Sequence, residues 1–259
     1  MTHNFKKKFG QNFITDKNLL NAIVDDAQVD KNDDVLEIGA GEGTLTKVIS
    51  ERVKSVVSYE IDSDLKEKLL SLNLKNVKFV LDDIMKYEIE DIEKDFLGGY
   101  KIIANLPYYI TSPIIFKFLN NSDKVRSLTI MVQKEVAERI VAKAGGKDYG
   151  VLSVMVQFFG NAKITRLVSR KMFFPQPNVD SAVVVIDVSK NYDIDKAKFY
   201  KFIQTCFSMR RKTLKNNLSH SQDFKDAVNY LDANILSRRA ESFTLDEFIE
   251  IFNKIEFKK

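Results

Sequence analysis

The sequence is short of the residues that build metal and disulfide sites. It has one cysteine, Cys206, so no intrachain disulfide can form. Its only histidines are His3 and His220, which excludes a Cys/His metal centre, and no metal is expected. No run approaches the ~18 consecutive apolar residues needed to span a bilayer, so no membrane partner is expected. The first ten residues are basic and lack the apolar stretch of a secretory signal, and these absences point to the cytoplasm.

What remains is an ordinary globular composition, 44% hydrophobic and 29% charged over 259 residues. That length suits one large domain, or a medium domain with a small appendage. The net charge of +4 says little about partners, but its distribution says more. Residues 80–95 carry seven acids against Lys86 and Lys94. Residues 199–220 carry Lys201, Arg210, Arg211, Lys212 and Lys215 and no acid. A solvated helix face explains such runs, and so does a surface for a phosphate backbone.

From residue 35 to residue 188, β-rich runs alternate with helical ones. Short strands are predicted at 35–38, 56–60, 77–81, 100–104 and 128–132, with helical stretches such as 44–53 and 64–72 between them. This alternation predicts a mostly parallel sheet covered on both faces. Two later β-rich runs, 162–168 and 182–187, are expected to form an antiparallel edge. After Ser189 the texture turns helical, with Phe199, Phe202, Ile203, Cys206 and Phe207, then Leu245, Phe248, Ile249 and Phe252, at helical spacing. The expected division is an α/β domain over 1–188 and a small all-helical domain over 189–259.

The first strand runs into Gly39-Ala40-Gly41-Glu42-Gly43-Thr44. Glycines allow a sharp turn and a close ligand approach. A dinucleotide fingerprint would place its third glycine at position 44. Here it stands at 43, which disfavours a nicotinamide oxidoreductase and suits a cofactor without a pyrophosphate. Glu60, at the end of the next strand, can accept from a ribose diol. Asp83, after the third, can accept from an adenine amine or simply cap a helix. Gly39, Gly41, Glu60 and Asp83 all fall at carboxyl ends of successive strands, where open α/β sheets bind ligands. Together they point to a nucleoside cofactor such as S-adenosylmethionine.

The fourth strand ends in Asn105-Leu106-Pro107-Tyr108, the most specific motif in the chain. The lone pair of adenine N6 is delocalised into the ring, which makes it a poor nucleophile. The Asn105 side-chain oxygen and the Leu106 carbonyl are two acceptors able to hold both N6 hydrogens and localise that pair. Pro107 fixes the turn, and Tyr108 offers a face for the base. A second aromatic element, Phe173-Phe174-Pro175-Gln176-Pro177, reads as core or as a ring closing on the other face of an extruded base.

These motifs closely resemble the KsgA-type small-subunit ribosomal RNA adenine dimethyltransferases, over essentially the whole chain. The match includes Phe9-Gly10-Gln11-Asn12-Phe13, the loop at 37–43, and Asn105 to Tyr108 with Ile110-Thr111-Ser112-Pro113. It continues through 132–139, 148–153 and 173–181, and through 207–218 with Arg210-Arg211-Lys212. The resemblance implies a Rossmann-like S-adenosylmethionine-dependent methyltransferase sheet followed by a helical RNA-binding domain. It implies dimethylation of N6 on two adjacent adenines near the 3′ end of 16S ribosomal RNA, in the small subunit or its precursor. Cofactor contacts carry over to Asn12, Ile14, Gly39, Glu60, Asp83 and Asn105, and the stacking phenylalanine to Phe173. Ile14 replaces the family's more usual leucine, and Tyr109 stands where many members have asparagine. Arg210, Arg211, Lys212 and Lys215 are expected to contact phosphates, and a monomer is the default expectation. The related Erm group, acting on 23S ribosomal RNA, shares the cofactor loop but less of 132–153 and 173–186. A role weighted toward small-subunit assembly is compatible with the same sequence.

Overall fold

The computed structural model describes residues 13–14, 16–107 and 110–257. Strands form at β1 (Phe13–Ile14), β2 (Asp34–Ile38), β3 (Ser55–Tyr59), β4 (Val77–Val80), β5 (Tyr100–Asn105), β6 (Val125–Gln133), β7 (Gly160–Val168), β8 (Phe173–Phe174) and β9 (Ser181–Val188). Seven of them make one sheet in the order β4-β3-β2-β5-β6-β9-β7. The pairs β2/β3, β3/β4, β2/β5 and β5/β6 are parallel, and β6/β9 is antiparallel. β2 is buried along its whole length, as an inner strand covered on both faces must be. The expected Rossmann-like order is therefore present, and the late β-rich runs do supply the antiparallel edge.

Helices α1 (Lys17–Asp26), α2 (Thr44–Ser50), α3 (Lys66–Ser71), α4 (Ile89–Glu93), α5 (Thr111–Asn121), α6 (Lys134–Val141) and α7 (Val151–Phe159) lie between the strands in sequence. α1 begins where the Asp16 carboxylate accepts from Leu19 N, 2.8 Å away. It buries Leu20, Ile23 and Val24 in a cluster with Leu45, Ile49, Val35 and Ile103. The chain order reverses between β2 and β5, since β2 leads outward to β3 and β4 while β5 leads the other way to β6. Crevices at such a reversal, outside the strands' carboxyl ends, are where α/β sheets take ligands.

The chain forms two compact units, 1–137 with 161–189 and 138–160 with 190–259. This corrects the sequence boundary at 188/189, because 138–160 belongs with the C-terminal unit. The reason is aromatic packing. Phe158, on α7, stacks on Tyr192 at 5.0 Å and on Phe199 at 4.6 Å between ring centroids. α7 is apolar on nearly every side, so periodicity alone could not assign it to a core. The C-terminal unit also holds α8 (Lys196–Cys206), α9 (Leu214–Ser219), α10 (Ala233–Ser237) and α11 (Leu245–Phe257). Phe202 meets Phe224, Phe248 and Phe252 at its centre. Among the described residues no helix is long and apolar enough to cross a membrane.

Candidate active site

The pocket opens where the sheet order reverses. Its wall combines Phe13 and Ile14 of β1, the loop from Gly39 to Gly41, Glu60 and Ile61 after β3, Asp82 and Asp83 after β4, and Asn105 to Pro107 at the end of β5. The turn after β2 is tight because Gly39 N and Ala40 N both donate to the Tyr59 carbonyl, at 2.8 and 3.2 Å. Gly39 has φ +85°, and a Cβ there would stand 3.3 Å from the Asn105 carbonyl. Gly41 has φ +56°, and a Cβ there would press on the Phe13 ring. Glycine is thus required for conformation and for proximity, and it brings the loop and the end of β5 into one site.

Glu60 is buried on that wall, with Oε2 accepting from Gly41 N at 2.7 Å and Oε1 from Asp62 N at 2.8 Å. Burial pushes its carboxyl above the usual range, against those backbone hydrogen bonds. Asp83 caps the short turn of Ile84–Lys86 through Met85 N at 2.9 Å, so it takes the capping role the sequence left open while still lining the pocket. Asp82 was not foreseen. It also lines the pocket, and the Lys86 ammonium 2.8 Å from its Oδ1 lowers its carboxyl. Ile61, Ile84 and Met85 supply apolar surface beside these acids. No charge or spacing signal marked them in advance.

At the end of β5, Leu106 N donates to the Met131 carbonyl at 3.2 Å, which ties the motif to β6. The Pro107 carbonyl accepts from Ile110 N and Thr111 Oγ1, at 3.2 and 3.4 Å. No described residue donates to the Leu106 carbonyl. Asn12 and Tyr108, with the basic run Lys6 to Lys8, lie outside the described residues.

Phe173 is not brought to the pocket. It is 5% exposed and packs in the cluster of Ile14, Leu20, Met131 and Val183, while its neighbour Phe174 is 66% exposed. Strand alternation explains the split, since Phe173 pairs with the buried Ile14 and Phe174 with Phe13. Arg210, Arg211, Lys212 and Lys215 lie in the other unit, exposed around the turn between α8 and α9. Buried Asn217 shapes that turn. Its Oδ1 accepts from Met209 N and Ser208 Oγ at 2.9 and 3.0 Å, and its Nδ2 donates to the Cys206 carbonyl at 2.6 Å. Arg210 donates to the Lys147 carbonyl within the same unit. No group of three or more metal-ligating side chains occurs among the described residues.

A pocket with a glycine turn, a buried acid one strand over and an Asn-Leu-Pro strand end suits a nucleoside cofactor beside an amine substrate. The sequence profile described as ribosomal RNA adenine dimethylase matches residues 2–256. The chain belongs to that family. Ribosomal RNA small subunit methyltransferase A of Mycoplasma mobile is 46% identical over 230 residues, 87% of each chain. The protein of the same name in Clostridioides difficile is 41% identical over 267 aligned positions, 98% of this chain and 92% of that relative. Among solved structures, a dimethyladenosine transferase from Plasmodium falciparum is similar at 26% identity with a TM-score of 0.78, over 95% of this chain and 98% of the other. This dimethylase-family chain is an S-adenosylmethionine-dependent methyltransferase with ribosomal RNA as its substrate class. The curated relatives named above are small-subunit enzymes, which favours the KsgA-type reading over the Erm-type one.

Proposed function

We propose that the protein dimethylates N6 of two adjacent adenines near the 3′ end of 16S ribosomal RNA, acting as a cytoplasmic monomer on the small subunit or its precursor. The observation that carries the reading is the approach of Gly39 to Asn105, which brings the glycine turn and the Asn-Leu-Pro strand end into one pocket. The residues fit the cofactor. Gly39 and Gly41 leave room for it, Glu60 retains lone pairs for a ribose diol, and Asp83 with Ile61 and Ile84 suits its adenine. Bound there, S-adenosylmethionine supplies an electrophilic methyl carbon on a positively charged sulfur.

The chain's own work is orientation. For the first transfer the Asn105 side-chain oxygen and the Leu106 carbonyl accept the two N6 hydrogens of the target adenine and turn its lone pair out of conjugation. For the second, one of them accepts the single hydrogen that remains on the monomethylated nitrogen. Tyr108 stacks on the base. A methylated nitrogen is acidic enough to lose its proton to water, so no strong base is required of the protein. The basic turn carrying Arg211, Lys212 and Lys215 takes phosphates of the RNA.

Asn105→Ala is expected to lower methyl transfer to purified small subunits by a factor of at least ~100, the scale of losing one preorganised polar group, with RNA binding retained. Labelled methyl groups are expected on small and not large subunits. Near-normal transfer by the variant, or label on large subunits, would overturn the proposal.

A further inference from the structure

The exposed Phe174 of the β1–β8 ribbon has no role in the reading above. Paired residues of an antiparallel ladder share a face, and neighbours along a strand alternate. Phe13 and Phe174 therefore share one face, and Ile14 and Phe173 the other. Phe13 lines the pocket, with its ring 2.8 Å from where a Gly41 Cβ would stand. The exposed ring of Phe174 thus stands beside the pocket wall.

The loop behind it is held in shape. Asp180 Oδ1 accepts from Arg170 N at 2.9 Å, and the Arg170 guanidinium donates to the Asn178 carbonyl at 3.1 Å. Met172 and Val179 are exposed on the same loop. Residues 161–179 carry Lys163, Arg166, Arg170 and Lys171 and no acid. Arg166 is taken by Asp26, whereas Lys171 has no carboxylate partner among the described residues. Exposed aromatic and apolar side chains interleaved with cations, next to a pocket that takes a nucleobase, match the chemistry of an unpaired nucleotide: a flat face for its base and a charge for its phosphate.

We propose that Phe174, with Met172 and Lys171, forms a subsite for the unpaired nucleotide adjoining the target adenine. This rests on the RNA reading above and deepens it, because the subsite selects a target lying in a single-stranded segment. Phe174 is then a positioning residue that acts through the RNA strand.

The chain has no tryptophan, so Phe174→Trp creates a single emitter. The probe is a single-stranded RNA decamer with two adjacent adenines, added to the full-length variant with binding followed independently by anisotropy of the labelled RNA. Quenching of the Trp at saturation is expected. A control, Leu97→Trp, sits 97% exposed ahead of the amino end of β5, whereas the pocket lies at that strand's carboxyl end, and should not respond. With small subunits as substrate, Phe174→Leu is expected to raise KM about tenfold with kcat and cofactor affinity unchanged, and Phe174→Tyr to keep the original KM. Unquenched Trp at RNA saturation, or Phe174→Leu with unchanged KM, overturns the subsite. If the unmodified protein methylates small subunits in those same assays, only the subsite has failed and the RNA reading stands.

Discussion

Glu37 lies on β2, fully buried just ahead of the glycine turn, and the hydroxyls of Thr46 and Ser58 both donate to its Oε2 at 2.6 Å. Its Oε1 has no hydrogen-bond partner among the described residues. Burial pushes the carboxyl up to about 7, opposed by those two hydroxyls and assisted by the charge of Glu60. The folded state therefore holds this proton more tightly than the unfolded chain does. The protein loses stability as pH rises from about 4.5 to about 7, by up to roughly 3 kcal/mol. Glu37→Gln keeps an oxygen for both hydroxyls and removes the titration. In thermal unfolding it should gain on the natural protein as pH rises from about 5 to about 8, and a pH-independent difference would contradict the account. Individual residues were legible in the sequence where strand ends fixed them, as with Gly39, Gly41, Glu60, Asp83, Asn105 and Leu106. The protonation of Glu37 was not, because it depends on Thr46 and Ser58 closing over it. Nor was the choice between Phe173 and Phe174, which rests on a two-residue pairing with β1.

Among the elements, the turn from α8 to α9 has the clearest expected behaviour. Asn217 fixes its backbone from within, so Arg211 and Lys212 on the turn and Lys215 at the start of α9 project from a defined backbone, exposed and with no ion-pair partner among the described residues. By contrast, Lys201 pairs with Asp223 at 2.8 Å. Replacing the three free cations with glutamine should make the log–log salt dependence of single-stranded RNA binding shallower by about 2, at about 0.7 per lost phosphate contact. An unchanged slope would leave them a solvated face. The five parallel strands and the late antiparallel edge were readable from alternation and length. The β1–β8 ribbon was not, since two residues make no pattern. α7 was misassigned because a helix apolar on most sides carries no mark of which core it joins; its stacking on Tyr192 and Phe199 decides the matter.

For the whole molecule, the sequence conveyed a mostly parallel sheet with its site at the strands' carboxyl ends, whereas the reversal of strand order that locates the pocket appears only in the fold; family membership follows from a match over nearly the full chain. It did not convey that the C-terminal unit draws 138–160 out of the α/β stretch, because this depends on aromatic contacts between segments distant in sequence. The central claim is that one pocket at the reversal holds both cofactor and target amine. A crystal structure with adenosine and the demethylated cofactor product, S-adenosylhomocysteine, tests it most directly. Adenosine N6 should lie within about 3 Å of both the Asn105 side-chain oxygen and the Leu106 carbonyl. An adenosine amine bound elsewhere, with those acceptors turned to other partners, would contradict it.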